Sequence, residues 1–332
     1  MLNIQKVEHI ARILGTSPSW LMSVADAADS YYENLVLFDP ARPDKTREVV
    51  NVKGELRRLQ SLLYKNLLKP HHKPSIFGHG GIQGRHIKSN VEAHRNSTFV
   101  FTTDVENFYP SIGHHRVYRL FSGLLRCSPD VARICTRLCT YRWCLSLGLI
   151  TSPILADCLM KQVDTRLGAM SEKHGLIYTR FVDDISLSAR FPVESGSFMK
   201  IVTEILNEHG FRVNPLKHGG EHNQGRLSDK NYITKLQIKR GRIDVSTELL
   251  AALESQIVNA SKLANGGDWE GVYYTPGQVF GRIQYVGWIN PGRLPGLLRR
   301  YNGVNWKKTE LEALSRGLVA SGKRLVRQND SA

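Results

Sequence analysis

Apolar residues recur at helical spacing along much of this chain, and the exceptions are short β-branched or aromatic runs. Ile4 to Leu14 is periodic, and Ser17-Pro18 has the chemistry of a cap and first helical turn, so the first forty residues read as helices. The segment Phe38-Asp39-Pro40-Ala41-Arg42-Pro43-Asp44 breaks the pattern with turn residues, and Lys45 to Val52 reads as a short basic strand. Leu56, Leu59, Leu62, Leu63 and Leu67 then fall on one helical face within Val52 to Leu68. A Gly/His-rich loop from Gly78 to Gly84 leads into a helix around Ile87 to His94. Phe99-Val100-Phe101-Thr102-Thr103 has the composition of a buried strand, and it ends at Asp104.

Further on, Arg116 to Leu125, Pro129 to Cys139 and Pro153 to Gly168 read as helices. Leu176 to Val182 and Ile185 to Ala189 are strand patterns separated only by Asp183-Asp184, a hairpin signature. Val202 to His209 is helical and stops at Gly210. Tyr232 to Ile238 and Arg242 to Val245 form a second hairpin across Lys239-Arg240-Gly241. After Ser246 the pattern is helical, with a Gly/Pro loop from Asn290 to Gly296. A domain boundary near residue 246 follows, separating residues 1–245 from a helical, basic 246–332.

Charge adds a partner to this picture. The 332 residues carry 45 Lys+Arg against 30 Asp+Glu, a formal net charge of +15. Such an excess favours a polyanion, because each phosphate neutralised releases condensed counterions. Between Arg282 and Arg327 there are ten basic residues and two acidic ones, so the excess is concentrated in the tail. The five cysteines form no CxxC pair and read as reduced thiols; the histidines at 71, 72, 79, 86 and 94 match no zinc spacing. The chain opens with no basic-then-apolar leader. Its longest uncharged run, Trp143 to Ala156, is shorter than the roughly 18 apolar residues of a membrane span. A cytoplasmic protein with no membrane partner is expected.

The carboxylates carry the candidate chemistry. Joining nucleotides needs a hydroxyl to attack an α-phosphate in line, and two divalent ions about 3.5–4 Å apart can activate the attacker and stabilise the leaving oxygens. Hard cations such as Mg²⁺ take oxygen ligands, best held on rigid strands. Asp104 ends one strand; Asp183 and Asp184 lie 79 residues on, at the tip of a hairpin. Two adjacent anions among Phe181, Val182 and Ile185 repel one another and resist ionisation unless a cation compensates them.

The stretch from Phe101 to Ile112 (FTTDVENFYPSI) resembles the first catalytic motif of bacterial reverse transcriptases, and Tyr178 to Ser188 (YTRFVDDISLS) resembles their Tyr-x-Asp-Asp box, with Phe181 in the aromatic place. Within that family the chain is most similar to the retron type. Gly84 to His94 (GRHIKSNVEAH) resembles the retron Asn-Ala-x-x-His element, with Val91 replacing the usual Ala. Gly210 to Lys217 (GFRVNPLK) matches the palm motif whose lysine approaches the departing phosphates. Two elements depart from the family. Leu147 stands in Leu145 to Pro153 where a glutamine helps seat the incoming nucleotide, and Ile233-Thr234-Lys235 replaces the retron Val-Thr-Gly.

The resemblance implies an α+β right-hand polymerase, with fingers and a ferredoxin-like palm in residues 1–245 and a helical thumb in 246–332. Asp104, Asp183 and Asp184 would hold two Mg²⁺ ions, Val105 would join the metal and nucleotide set, and Lys217 would protonate the leaving pyrophosphate. Tyr109 resembles the steric gate that excludes a ribose 2′-OH. Arg47 and Arg85, with Lys45 a lesser candidate, suit the triphosphate, and Gly148 suits a close backbone approach to the nucleotide. Asn90 and His94 are candidates for RNA contact, or else structural partners within their helix. Arg293, Arg299, Arg300, Lys307 and Lys308 are further candidates for RNA contact, interleaved with Trp288, Tyr301 and Trp306 for base stacking. The implied activity is RNA-directed DNA synthesis on a cognate structured non-coding RNA, primed from an RNA 2′-hydroxyl, with deoxynucleoside triphosphates as substrates. The single-stranded DNA product and the enzyme would restrain an effector protein in antiphage defence. Two rival readings are a defence-associated reverse transcriptase outside the retrons and an RNA-binding scaffold without turnover.

Overall fold

The structure is a computed structural model and describes residues 3–38, 46–214, 224–226, 232–239, 241–269, 272–318 and 324–327. The chain begins with α1 (Val7–Leu14) and α2 (Pro18–Asp26); the Ser17 side chain accepts a hydrogen bond from the Trp20 amide, so the expected cap is in place. The run that follows is not helical throughout. Tyr32–Phe38 forms a strand, β1, antiparallel to β2 (Arg47–Val52). Helix α3 (Gly54–Leu62) continues through a π-turn into the one-turn α4 (Lys69–His71), burying Leu56, Leu59, Leu63 and Leu67 as their spacing predicts.

After α5 (Ile87–Glu92) and β3 (Phe99–Asp104) come α6 (His114–Arg119), α7 (Pro129–Cys139) and the long α8 (Ser152–Lys173). The next elements are β4 (Ile177–Phe181), β5 (Asp184–Ala189), α9 (Ser195–Glu208) and β6 (Gln224–Arg226). These strands form one antiparallel sheet in the order β4-β5-β3-β6. A β-α-β-β-α-β sequence with the first and third strands central is the ferredoxin-like arrangement. Its sheet and helices share the larger apolar core, which runs from Ile4 to Phe211 and includes Phe101, Leu155, Val163, Leu187 and Leu206.

A second core gathers Ile233, Leu236, Ile238, Ile243 and Val245 with residues from the C-terminal helices. The strands here are β7 (Tyr232–Ile233), β8 (Leu236–Lys239) and β9 (Arg242–Val245), a three-stranded meander. The expected single strand from Tyr232 to Ile238 is broken, because Thr234 and Lys235 adopt left-handed φ values of 46° and 69° and reverse the chain. Helices α10 (Thr247–Ala264), α11 (Pro276–Ile289), α12 (Leu294–Asn302) and α13 (Trp306–Ser315) follow. The strands do not end there, as the sequence pattern had implied. β10 (Arg324–Arg327) returns to pair antiparallel with β1. All five cysteines are free thiols, three of them buried. Among the described residues no helix is long and apolar enough to cross a membrane.

Candidate active site

Strand register brings the three aspartates together. Asp104 lies directly across from Asp184 on β3 and β5, and the Val105 amide donates to the Asp183 carbonyl at 3.1 Å. Directly opposed residues of an antiparallel pair present their side chains on the same face. Beyond Asp104 the strand is held on its other side. Asn214 donates its backbone N–H to the Asp104 carbonyl at 2.9 Å, and Glu106 donates to the Arg212 carbonyl at 2.8 Å.

The hairpin tip is one residue earlier than the sequence pattern places it. Phe181 pairs with Asp184, so the two-residue turn is Val182-Asp183 and Asp184 already belongs to β5. Val182 takes φ 61°, a region glycine favours and a β-branched side chain resists, at a cost of roughly 1–3 kcal/mol. Neighbours hold it there. A Cβ on Gly80 would lie 2.6 Å from the Val182 amide nitrogen, so only glycine lets this loop lie against the turn. The same loop extends the sheet beyond β4: Arg180 donates its amide to the Phe77 carbonyl at 2.8 Å, and His79 donates to the Arg180 carbonyl at 2.7 Å.

Tyr109 stands beside the carboxylates. Its phenol is pushed up to about 12, first by burial and then by the charge of Asp183. Among the described residues no three carboxylate, imidazole or thiol groups form a converged ligand cluster. The backbone positions are adjacent nonetheless, and the donors are the hard oxygens that Mg²⁺ takes. The donor chemistry therefore fits a divalent cation.

The other expected residues differ in placement. Arg47 is exposed at the start of β2, and Val105 is buried behind Asp104. The Arg85 guanidinium is turned onto its own loop, with Nη1 donating to the Ser75 carbonyl at 2.6 Å and to the Gly78 carbonyl. Gly148, at φ 106°, does make a close backbone approach, but to β2: a Cβ there would collide with the Val50 carbonyl, while the Val50 amide donates to the Leu147 carbonyl at 2.8 Å. Lys45 and Lys217 lie outside the described residues.

The RNA contacts expected of Asn90 and His94 need correction. Both are fully buried. The His94 ring bridges two palm strands, Nδ1 to the Ser188 hydroxyl at 2.6 Å and Nε2 to the Thr179 hydroxyl at 2.7 Å; burial drives its pKa down to about 3. Asn90 donates to the Thr234 hydroxyl at 3.2 Å, in the turn between β7 and β8. Together they bracket α5 between the palm sheet and the second core.

The tail cations are likewise unequal. Arg293 is locked to Asp244 by Nε and Nη2 at 2.6–3.0 Å, and Arg300 pairs with Glu254 at 2.9 Å. Arg299, Lys307 and Lys308 are exposed. Tyr301 and Trp306 pack on each other, ring centroids 4.7 Å apart, while Trp288 is 44% exposed.

One group had no role in the sequence pattern. Arg180 is 2% exposed and is held by Asp164 and Asp157, with His72 and Tyr178 completing the network. Burial opposes its charge, and Asp164 more than compensates. The visible signal was a charge inside the otherwise uncharged strand Ile177–Phe181, three residues before the aspartate pair.

A ferredoxin-like sheet carrying one aspartate at a strand end, opposite a tandem pair on a hairpin, defines a nucleic-acid polymerase palm. Residues 39–228 match the family described as reverse transcriptase (RNA-dependent DNA polymerase), and the chain belongs to that family. It is 27% identical over 241 residues to the retron Se72 reverse transcriptase of Salmonella heidelberg, covering 72% of this chain and 63% of that one. To the retron Ec86 reverse transcriptase of Escherichia coli it is 25% identical over 259 residues, covering 77% and 78% respectively. A solved Sicinivirus 3Dpol RNA-dependent RNA polymerase superposes with a TM-score of 0.47 at 13% identity, covering 90% of this chain and 67% of that one.

Proposed function

We propose that this protein is an RNA-directed DNA polymerase of the retron type, which copies a cognate structured RNA into single-stranded DNA starting from an RNA 2′-hydroxyl. The observation that carries the reading is the placement of Asp104 opposite Asp184, with Val105 bonded to Asp183. Asp104, Asp183 and Asp184, with Val105 beside them, would hold two Mg²⁺ ions. When bound, these supply the positive charge that lowers the pKa of the attacking hydroxyl and stabilises the leaving pyrophosphate.

The chain's own residues then bind and orient. Tyr109, beside Asp183, would press on the sugar of an incoming deoxynucleotide and exclude a 2′-OH. Arg47 is exposed and suits the triphosphate; Arg85 would have to release loop carbonyls to do so. Lys217 is assigned to the departing phosphates. Residues 1–245 act as fingers and palm and residues 246–332 as thumb, with Arg299, Lys307 and Lys308 on the RNA backbone. The DNA product and an effector protein are assigned as partners in cytoplasmic antiphage defence.

A second reading, DNA synthesis outside the retron scheme, is favoured by Leu147. Its side chain is 39% exposed at the family's glutamine position and offers no hydrogen bond to a nucleotide. The test is to purify the protein with its nucleic acid, digest with RNase and sequence what remains. A discrete DNA joined to RNA at a 2′ branch is expected, and the Asp183→Asn variant should carry none. Unbranched DNA selects the second reading. Undiminished DNA in the variant excludes the catalytic assignment.

A further inference from the structure

We propose that Arg180 is a positioning residue for the catalytic turn: its guanidinium fixes the Val182 carbonyl, and through it the two carboxylates that follow. The inference rests on the aspartate site proposed above.

Arg180 uses four of its donors. Nε and Nη2 grip the two oxygens of Asp164, each at 2.8 Å, and Nη2 also reaches Asp157 at 2.7 Å. A two-pronged carboxylate contact fixes the plane of a guanidinium as a point charge cannot. The remaining edge, Nη1, donates to the Val182 carbonyl at 2.9 Å. Val182 is the residue at φ 61°, a conformation that persists only where its surroundings impose it.

The anchors are themselves anchored. The Tyr178 hydroxyl donates to Asp164 at 2.7 Å, and His72 Nε2 meets the other oxygen of Asp157 at 2.8 Å. Both aspartates stand on α8, the long helix that packs on β4, so the turn is referred to the longest helix of the palm. Glycine is needed at 78 to admit the network, since a Cβ there would come within 3.0 Å of Asp157 Oδ1 and 3.3 Å of Arg180 Nη2. Gly80 closes the turn from the other side. A buried arginine serving only to neutralise two aspartates would not need its third edge on the backbone of a strained turn.

The test is Arg180→Lys, which keeps the charge near Asp164 and Asp157 but lacks the planar fork. Because displacement of about 1 Å can cost roughly 100-fold in rate, kcat for DNA synthesis should fall by that order, while template RNA affinity and the KM for deoxynucleotides stay within about twofold. Leu21→Ala, a core truncation in α2 remote from the sheet, serves as a control that lowers the melting temperature with kcat per folded molecule unchanged. A folded Arg180→Lys enzyme with kcat within about threefold of the parent overturns the proposal. If that variant does not fold, Gly80→Ala decides, because its methyl must push on Val182. The same kcat loss with KM preserved supports the proposal, and unchanged kcat overturns it. Asp183→Asn is assayed alongside: if it still makes DNA, the aspartate site itself is wrong, whereas if it is inactive, a failure of Arg180→Lys counts against the positioning role alone.

Discussion

The palm and the C-terminal helices both carry ionic groups, but they use them in opposite ways. In the palm, Arg180, Asp157 and Asp164 are nearly inaccessible, and each has a specified partner. Among the C-terminal helices, Arg300 meets Glu254 at the surface, and Arg299, Lys307 and Lys308 project into solvent. Buried charges must be matched in place or they destabilise the fold, whereas exposed ones act through a field that salt can screen. The palm's polar residues therefore hold geometry, whereas the exposed cations of the tail suit the RNA affinity proposed for them. Arg293 stands between the two: it is bonded bidentately to Asp244 at the second core, yet its side chain stays partly exposed.

The sharpest way to break this contrast is to remove one anion from each region. Asp164→Ala leaves Arg180 and Tyr178 buried without their main partner and should cost about 3–5 kcal/mol of stability. Glu254→Ala, which frees the exposed Arg300, should change stability by less than about 1 kcal/mol. Denaturant unfolding of both variants measures the difference, and equal losses would erase the distinction.

Acidification gives a smaller effect confined to the palm. Burial holds His94 neutral, with its pKa lowered to about 3. A depressed folded-state pKa means the contribution is fully present above the unfolded value of about 6.5 and is lost as pH falls toward 3. Between pH 7 and pH 5 this amounts to roughly 2 kcal/mol. Unfolding midpoints across that range should show the decline, and His94→Gln should reduce it, leaving the share of His79, whose pKa burial and the Arg85 charge lower to about 4. The smallest effect belongs to the tail. Replacing Lys307 or Lys308 with Ala should make the slope of log affinity for RNA against log salt shallower by about 0.7–0.9 for each phosphate that the lysine neutralises, with the melting temperature unchanged.

The same contrast explains what was legible in the sequence. β3, the hairpin and most helices could be read because their apolar periodicity is local. The turn was misplaced by one residue because Val182 is the wrong residue for φ 61° by any intrinsic preference, while the contacts that meet it, the Gly80 backbone and the Arg180 bond, are not visible in a local pattern. β10 was missed because it depends on a partner distant in sequence, and Arg324–Arg327 is too short to declare itself without β1; β1 was read as helix although its other partner, β2, is close in sequence. Charge counting located the basic tail but could not see Asp244 or Glu254 opposite two of its arginines. Asn90 and His94 were found as a motif, yet the direction they face is decided by Thr179, Ser188 and Thr234, which lie 85 or more residues away.

Everything in the functional account depends on Asp104 and the aspartate pair acting as one ligand set. Anomalous scattering from Mn²⁺ in crystals of the enzyme with template, primer and a non-hydrolysable deoxynucleotide reads this directly. Metal is expected between Asp104 and Asp183, with two ions about 3.5–4 Å apart. Metal bound without Asp104, or at no aspartate of the three, would contradict it.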